Sequence, residues 1–304
     1  MTMLSTSAFY ERATRNIGTL RGRAEGLQTA LGTGQKLSRS SDDPVAASRL
    51  RSLTRADAMA AIDTTNAARA ASDLTLTDSA LSSFANHVIR AQELATQAAS
   101  GLLTGDQRKG IATELAQLGQ EIARLANARD SVGHALFGGE TAGAAYTFDA
   151  AGNPVYAGTA SAGEMPLGEG QSVTRGLTGP EFLSFTGSSG ATDLFAVIGG
   201  LAAALDGGAA DPAQAARDAL GDLAGGLEAI TTAQTVVGAR LNWIDLIGDR
   251  RVQTSELRAE EQADVGGTDL AATVTELQQV MTVLEASQAS FAKLAGLSLF
   301  NVLR

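Results

Sequence analysis

The chain has 304 residues, 23 basic against 33 acidic side chains, a net charge of −10 and no cysteine. The acidic balance argues against a protein that neutralises duplex phosphates, and the missing thiols exclude disulfide scaffolds, thiol nucleophiles, zinc fingers and iron–sulfur centres. No apolar run approaches the roughly 20 residues of a membrane helix. The N-terminal MTMLSTSAFYERATRN has no basic or continuously apolar signal region, so the chain is expected in the cytoplasm or exported without a cleaved signal.

Ile17, Leu20, Ala24, Leu27 and Leu31 step 3-4-3-4 and predict a helix with one apolar stripe. Gly32, Gly34 and the polar run Ser38–Asp43 end it. Asp43 before Pro44 is a helix start: the carboxylate accepts orphan N–H groups, and proline in the first turn loses no needed donor. From Pro44 to about Ser100 no proline interrupts, and Thr77, Leu81, Phe84, Val88, Ala91, Ala95 and Ala98 again keep helical spacing. Leu103-Thr104-Gly105-Asp106 reads as a reversal with an N-cap, after which Ile111, Leu115, Leu118, Ile122 and Leu125 predict a returning helix.

Residues 138–192 differ in kind. They hold 12 of the 34 glycines and three of the five prolines, with Arg175 as their single basic residue, which marks a β/loop insert between two helical halves. Aromatics on both sides of Asp149…Gly152-Asn153-Pro154 predict a hairpin over 146–156. The glycines and low basic content suit a small exposed β-domain. Asp211-Pro212 then starts a second long helix, running to about Val265, with Leu220, Leu223, Leu227, Ile230, Val237, Leu241 and Ile244 on its seam and Gln234 as the polar interruption. Gly266-Gly267 breaks it, and Thr268 or Asp269 can cap the last helix. Leu270, Val274, Leu277, Met281, Leu284, Gln288, Phe291 and Ala295 then step 4-3-4-3-4-3-4. Both ends thus carry coiled-coil seams, which require partners because ordering a terminus costs about 1–2 kcal/mol per residue. The partner is either the other end of the same chain or a neighbouring subunit; heptads report an interface, not its owner.

A catalytic constellation does not emerge. His87 and His134 stand 47 positions apart, expected on different helices, so no helical metal pair forms. Glu256, Glu260 and Asp264 share a helix face without a Glu-x-x-His partner and read as a solvated acidic face. Gly32-Thr33-Gly34-Gln35-Lys36 lacks the spacing and following hydroxyl of a phosphate loop, and Gly187-Ser188-Ser189-Gly190 lacks the register of a nucleophile elbow. Trp243 is expected to interrupt its helical run as a packing residue. No catalytic residue, metal or cofactor is expected.

The run Gly34 to Ser48, with Ser41, Asp42, Asp43 and Pro44 at its centre, resembles the flagellin superfamily of bacterial flagellar axial proteins, in the form of its hook–filament junction branch. Ala91–Gly101, Leu136–Gly139, Val237–Asn242, Ala263–Ala271 and Leu297–Phe300 extend the likeness over about 1–140 and 210–304. The Gly266-Gly267 pair departs from it, since relatives commonly carry helix-permitting residues there. The resemblance implies a mainly α fold: an elongated antiparallel bundle of long helices with terminal coiled-coil helices and a small β-rich inserted domain. Its expected parts are a terminal axial helix and joint (1–43), rod helices (44–137), an outer β-rich insert (138–192), further rod helices (193–265) and a C-terminal axial helix (266–304). Assembly is expected through Ile17, Leu20, Leu27, Leu31, Leu270, Val274, Leu277, Met281, Leu284 and Phe291. The implied role is a non-enzymatic adapter between hook tip and filament, outside the cell. Its implied partners are identical subunits in a ring, hook-associated protein 1, flagellin and an export chaperone, with no nucleic acid and no membrane insertion. The alternatives are a filament-forming flagellin, an enzyme hosted in the insert, or a coiled-coil scaffold unrelated to motility.

Overall fold

The structure is a computed structural model. It describes the backbone at residues 2–130, 132–150 and 152–302, and the side chains of these residues except 2–7, 9 and 295–302. The chain divides into two compact units, one of residues 1–58 with 253–304 and one of residues 59–252. The long helices α2 (Pro44–Ala99) and α6 (Pro212–Gly266) contribute to both.

Local chemistry starts four of the helices where the sequence signals it. Asp43 Oδ1 accepts the N–H groups of Val45 and Ala46, both at 3.0 Å. Thr104 and Gln107 form a reciprocal capping box ahead of α3 (Gly105–Ala126), and Asp211 caps α6 through the N–H of Gln214 at 2.9 Å. Asp269 does the same for α7 (Leu270–Val302), accepting from Ala272 N–H at 3.0 Å.

In the central unit α2 and α6 run antiparallel. As the α6 donor advances from Arg217 through Gln234 to Arg251, its α2 partner recedes from the Ala99 carbonyl through Ser82 to Thr64. Gln234, the polar break in the seam, is satisfied by Ser82 Oγ at 3.0 Å. Thr77, Leu81, Phe84, Val88, Ala91, Ala95 and Ala98 are all buried, as are Leu223, Ile230, Val237 and Ile244. α3 returns along α2, tied by Arg90 to Glu114. Trp243 does not interrupt α6; it lies within the continuous helix, partly exposed. His134 is not on a helix either, but in the turn-rich stretch after α3.

The β-rich insert is present as three separate antiparallel pairs: β1 (Tyr146–Phe148) with β2 (Pro154–Tyr156), β3 (Glu164–Gly168) with β4 (Gln171–Thr174), and β5 (Ser184–Gly187) with β6 (Gly190–Asp193). The short helix α4 (Pro180–Leu183) precedes β5. After β6 the chain does not enter a long helix at once: α5 (Leu194–Ala203) and a π turn at Ala204–Gly208 come first.

A two-stranded ribbon is marginal alone in water, so these pairs need the helices. The expected small β-rich insert sends its apolar side chains into the helical core. Phe182 of α4, Phe137 and Phe84 of α2 are fully buried and meet ring to ring at 4.9–5.8 Å. Leu167, Val173, Leu177 and Leu183 belong to the same core. Asn127, capping the C-terminus of α3, exchanges two hydrogen bonds with the backbone of Tyr146, and Arg240 of α6 donates to Gly176 O at 2.6 Å. The insert is a structural wall of the helical core.

Candidate assembly surface at the chain ends

In the terminal unit α1 (Thr2–Thr33) pairs with α7. The ring of Tyr10 meets that of Phe291 edge-on at 5.6 Å, and Arg23 pairs with Glu276. Ala24, Val280 and Leu284 are buried, and Ile17, Leu20, Leu27, Leu31, Leu277 and Phe291 are half-buried. The α1 stripe and the middle of the α7 stripe therefore meet within one chain.

The rest of the α7 row does not face this contact. Leu270, Val274 and Met281 are 56%, 42% and 37% exposed. The residues shielded with Leu277, Leu284 and Phe291 include Thr273, Val280 and Ser287. A straight helix turns 3.6 residues per turn and drifts away from a strict heptad, so the apolar positions split into an inner row and an adjacent outer row. Val280 was visible in the sequence as an apolar residue three after Leu277; the choice between it and Met281 was not. Ala295 and the Leu297–Phe300 motif lie outside the described side chains.

The joint behind the helix pair is a small backbone lattice. Lys36 N–H donates to Gly266 O at 2.8 Å and Thr268 N–H to Gly34 O at 3.0 Å, bridging Gln35 to Gly267. Gly34 has φ 69°, and a Cβ on Gly267 would stand 2.3 Å from Ala263 O, so the two glycines are required by the turn and by close approach. The motif Ser41-Asp42-Asp43-Pro44 serves this geometry. Asp42 accepts from Arg39 N–H at 2.8 Å and from Ser38 Oγ at 3.0 Å, closing a turn, and Asp43 caps α2; Ser41 and Pro44 are exposed. A cleft of about 650 Å³ opens between joint and helix pair, lined among others by Leu27, Lys36, Asp264 and Thr268.

Beyond the joint, α2 and α6 are tied by Arg49–Glu261 and by Asp57, which accepts from Arg258 at 2.8 Å and Gln262 at 2.6 Å. Three carboxyls here are held below their ordinary range: Asp42 by the N–H of Arg39 and the hydroxyl of Ser38, Asp57 by Arg258 and then Gln262, Glu261 by Arg49. A lowered carboxyl lends its stabilisation fully above the ordinary value, and loses it as pH falls through the lowered one. The joint and the first turns of α2 are thus expected to open in acid below about pH 4. Amide hydrogen exchange over residues 35–58, corrected for intrinsic rates, should rise there; unchanged protection would contradict the assignment.

Among the described residues no group of His, Cys, Asp and Glu could hold a metal ion, and no helix is long and apolar enough to cross a membrane. The chemistry available at the chain ends is apolar helix pairing, flanked by ion pairs.

Residues 4–142 match the family described as the bacterial flagellin N-terminal helical region. The chain is 28% identical over 314 residues to flagellar hook-associated protein 3 of Escherichia coli (strain K12), covering 98% of each chain. Its fold resembles a flagellar hook-associated protein of Vibrio parahaemolyticus, with 24% identity, a TM-score of 0.68, and 74% of this chain and 100% of that one covered. It also resembles the flagellar junction protein FlgL of Legionella pneumophila, with 16% identity, a TM-score of 0.59, and 72% and 99% covered.

Proposed function

We infer that this chain belongs to the flagellin superfamily, in the branch of hook-associated protein 3, and that its role follows from this. The chain is a structural adapter that joins the tip of the flagellar hook to the flagellin filament. The observation that carries this reading is the near full-length alignment, which includes both terminal helices. The paired ends support it physically. α1 and α7 bury one apolar row against each other and leave Leu270, Val274 and Met281 open, which suits a helix pair that packs again against neighbours.

On this reading identical subunits form a ring through their ends, with hook-associated protein 1 on one side and flagellin on the other. The seam residues Ile17, Leu20, Leu27, Leu31, Leu277, Leu284 and Phe291 hold the pair, and the outer row meets the neighbours. The chain leaves the cell through the flagellar export route with its chaperone and without a cleaved signal peptide, and it catalyses no reaction. Deleting its coding sequence tests the role. Cells should then build hooks, lack filaments and release flagellin monomer into the medium. If flagellin vanished from medium and cell surface alike, the chain would itself be the filament subunit.

A further inference from the structure

The insert carries a single basic side chain, and the fold places it between two acids of the helical core. Arg175, immediately after β4, lies with Nη2 3.4 Å from Asp73 Oδ2 of α2 and 3.5 Å from Asp130 Oδ2 of the stretch after α3. The Asp73 and Asp130 side chains are only 14% and 5% exposed. Asp130 is fixed further by the N–H groups of Val132 and His134, at 2.9 and 2.8 Å on Oδ1. The space beside these groups, about 20 Å³, admits roughly one water molecule, so the two carboxyls are poorly screened by solvent, while the Arg175 side chain is 38% exposed. The fourth charged group is the half-exposed His134, whose Nδ1 is 3.5 Å from Asp130 Oδ2. It adds a positive charge only when protonated.

Charge counting gives this cluster a direction. With both carboxyls ionised and the imidazole neutral, one guanidinium faces two anions and a shielded site carries one negative charge in excess. One proton on Asp73 balances it. A second loss of charge, at Asp130, leaves Arg175 without an anion. We propose that Asp73, Asp130, His134 and Arg175 form a proton-operated clamp that fastens the insert to α2 and the α3 exit more tightly in mild acid than at neutral pH, and lets go in strong acid.

The environments of the two acids agree with this order. Burial pushes Asp73 above the ordinary aspartate value, with Arg175 opposing and Asp130 adding to the rise. Burial also works against ionised Asp130, but the N–H groups of His134, Val132 and Gly133 and the charge of His134 hold its carboxyl below that value. The sign comes from linkage. A raised carboxyl binds its proton more tightly in the closed state, so closing is favoured as pH falls through the raised value. A lowered one favours closing above the ordinary value and loses that effect below it. The response is a maximum between the two, the opposite of the monotonic acid loosening expected at the chain ends.

The test is amide hydrogen exchange in the full chain, corrected for intrinsic rates, over residues 175–183. As pH falls from neutral into mild acid, opening of this segment in the unaltered protein should decrease, because the raised Asp73 carboxyl binds its proton more tightly in the closed state. Asp73→Asn, permanently uncharged and of the same shape, should already show the low opening at neutral pH and change little on acidification. An unaltered protein whose opening is constant or rises over this range overturns the proposal, whether or not the variant folds. So does an Asp73→Asn chain that folds and opens more than its parent at neutral pH. Residues 35–58 in the same experiment report the chain ends, so a general effect of acid on the protein is told apart from the clamp.

Discussion

Phe182→Ala should cost the central unit about 3–5 kcal/mol, because it removes a fully buried ring and leaves a cavity that two flanking phenylalanines hold open. Against a typical total of about 5–15 kcal/mol this is a large fraction. Trp243, the chain's one tryptophan, lies in that unit and reports its unfolding by fluorescence. The urea midpoint should drop sharply for Phe182→Ala and hardly move for Phe148→Ala, whose ring is 59% exposed. Replacing residues 138–192 by a Gly/Ser linker should be at least as damaging, since Leu167, Val173, Leu177 and Leu183 leave the core with Phe182. A Phe182→Ala chain within 1 kcal/mol of its parent, on the order of an ordinary surface change, would mean that the insert is dispensable after all.

The second large effect lies at the ends. Leu284 is 7% exposed on the α7 face that meets α1. Leu284→Asp deletes that packing and leaves a carboxylate in an apolar contact, a loss of roughly 3–5 kcal/mol or more. Pairing of α1 with α7 should be lost, while the Trp243 signal of residues 59–252 persists. In cells the variant should be made, yet filaments should be absent and flagellin should appear in the medium. Met281→Asp separates the two apolar rows. Its side chain is already exposed, so the isolated chain should keep its helix pair by hydrogen exchange and still fail to support filaments. Normal filaments with Met281→Asp would show that the outer row is not an assembly surface.

How far the fold is legible in the sequence depends on the range of the interactions involved. Asp43-Pro44, Thr104, Asp211-Pro212 and Asp269 announced their helices because a cap acts within three residues. The Tyr146–Tyr156 hairpin was legible for the same reason; its strands pair antiparallel, with Tyr146 opposite Tyr156. The stripes of α2 and α6 were legible because their apolar residues recur at helical spacing over many turns. The Phe84–Phe137–Phe182 contact was not, since it joins residues up to 98 positions apart that no periodicity links. Nor was the ownership of the α7 rows, where Val280 and Met281 are adjacent apolar residues and only the position of α1 selects between them. The clamp was half visible: Arg175 stood out as the insert's lone cation, but its two acids come from separate segments. The motif residues Ser41-Asp42-Asp43-Pro44 were recognised by resemblance, and their hydrogen bonds give a physical reason for the aspartates, which close a turn and start a helix.

The central claim, that this chain joins hook to filament, is tested most directly by where the protein sits on the flagellum. Antibodies raised against the purified chain, carried on gold and viewed on intact flagella by electron microscopy, should mark one point on each, where the hook meets the filament. Label distributed along the whole filament would contradict the adapter role and identify the chain as the filament subunit.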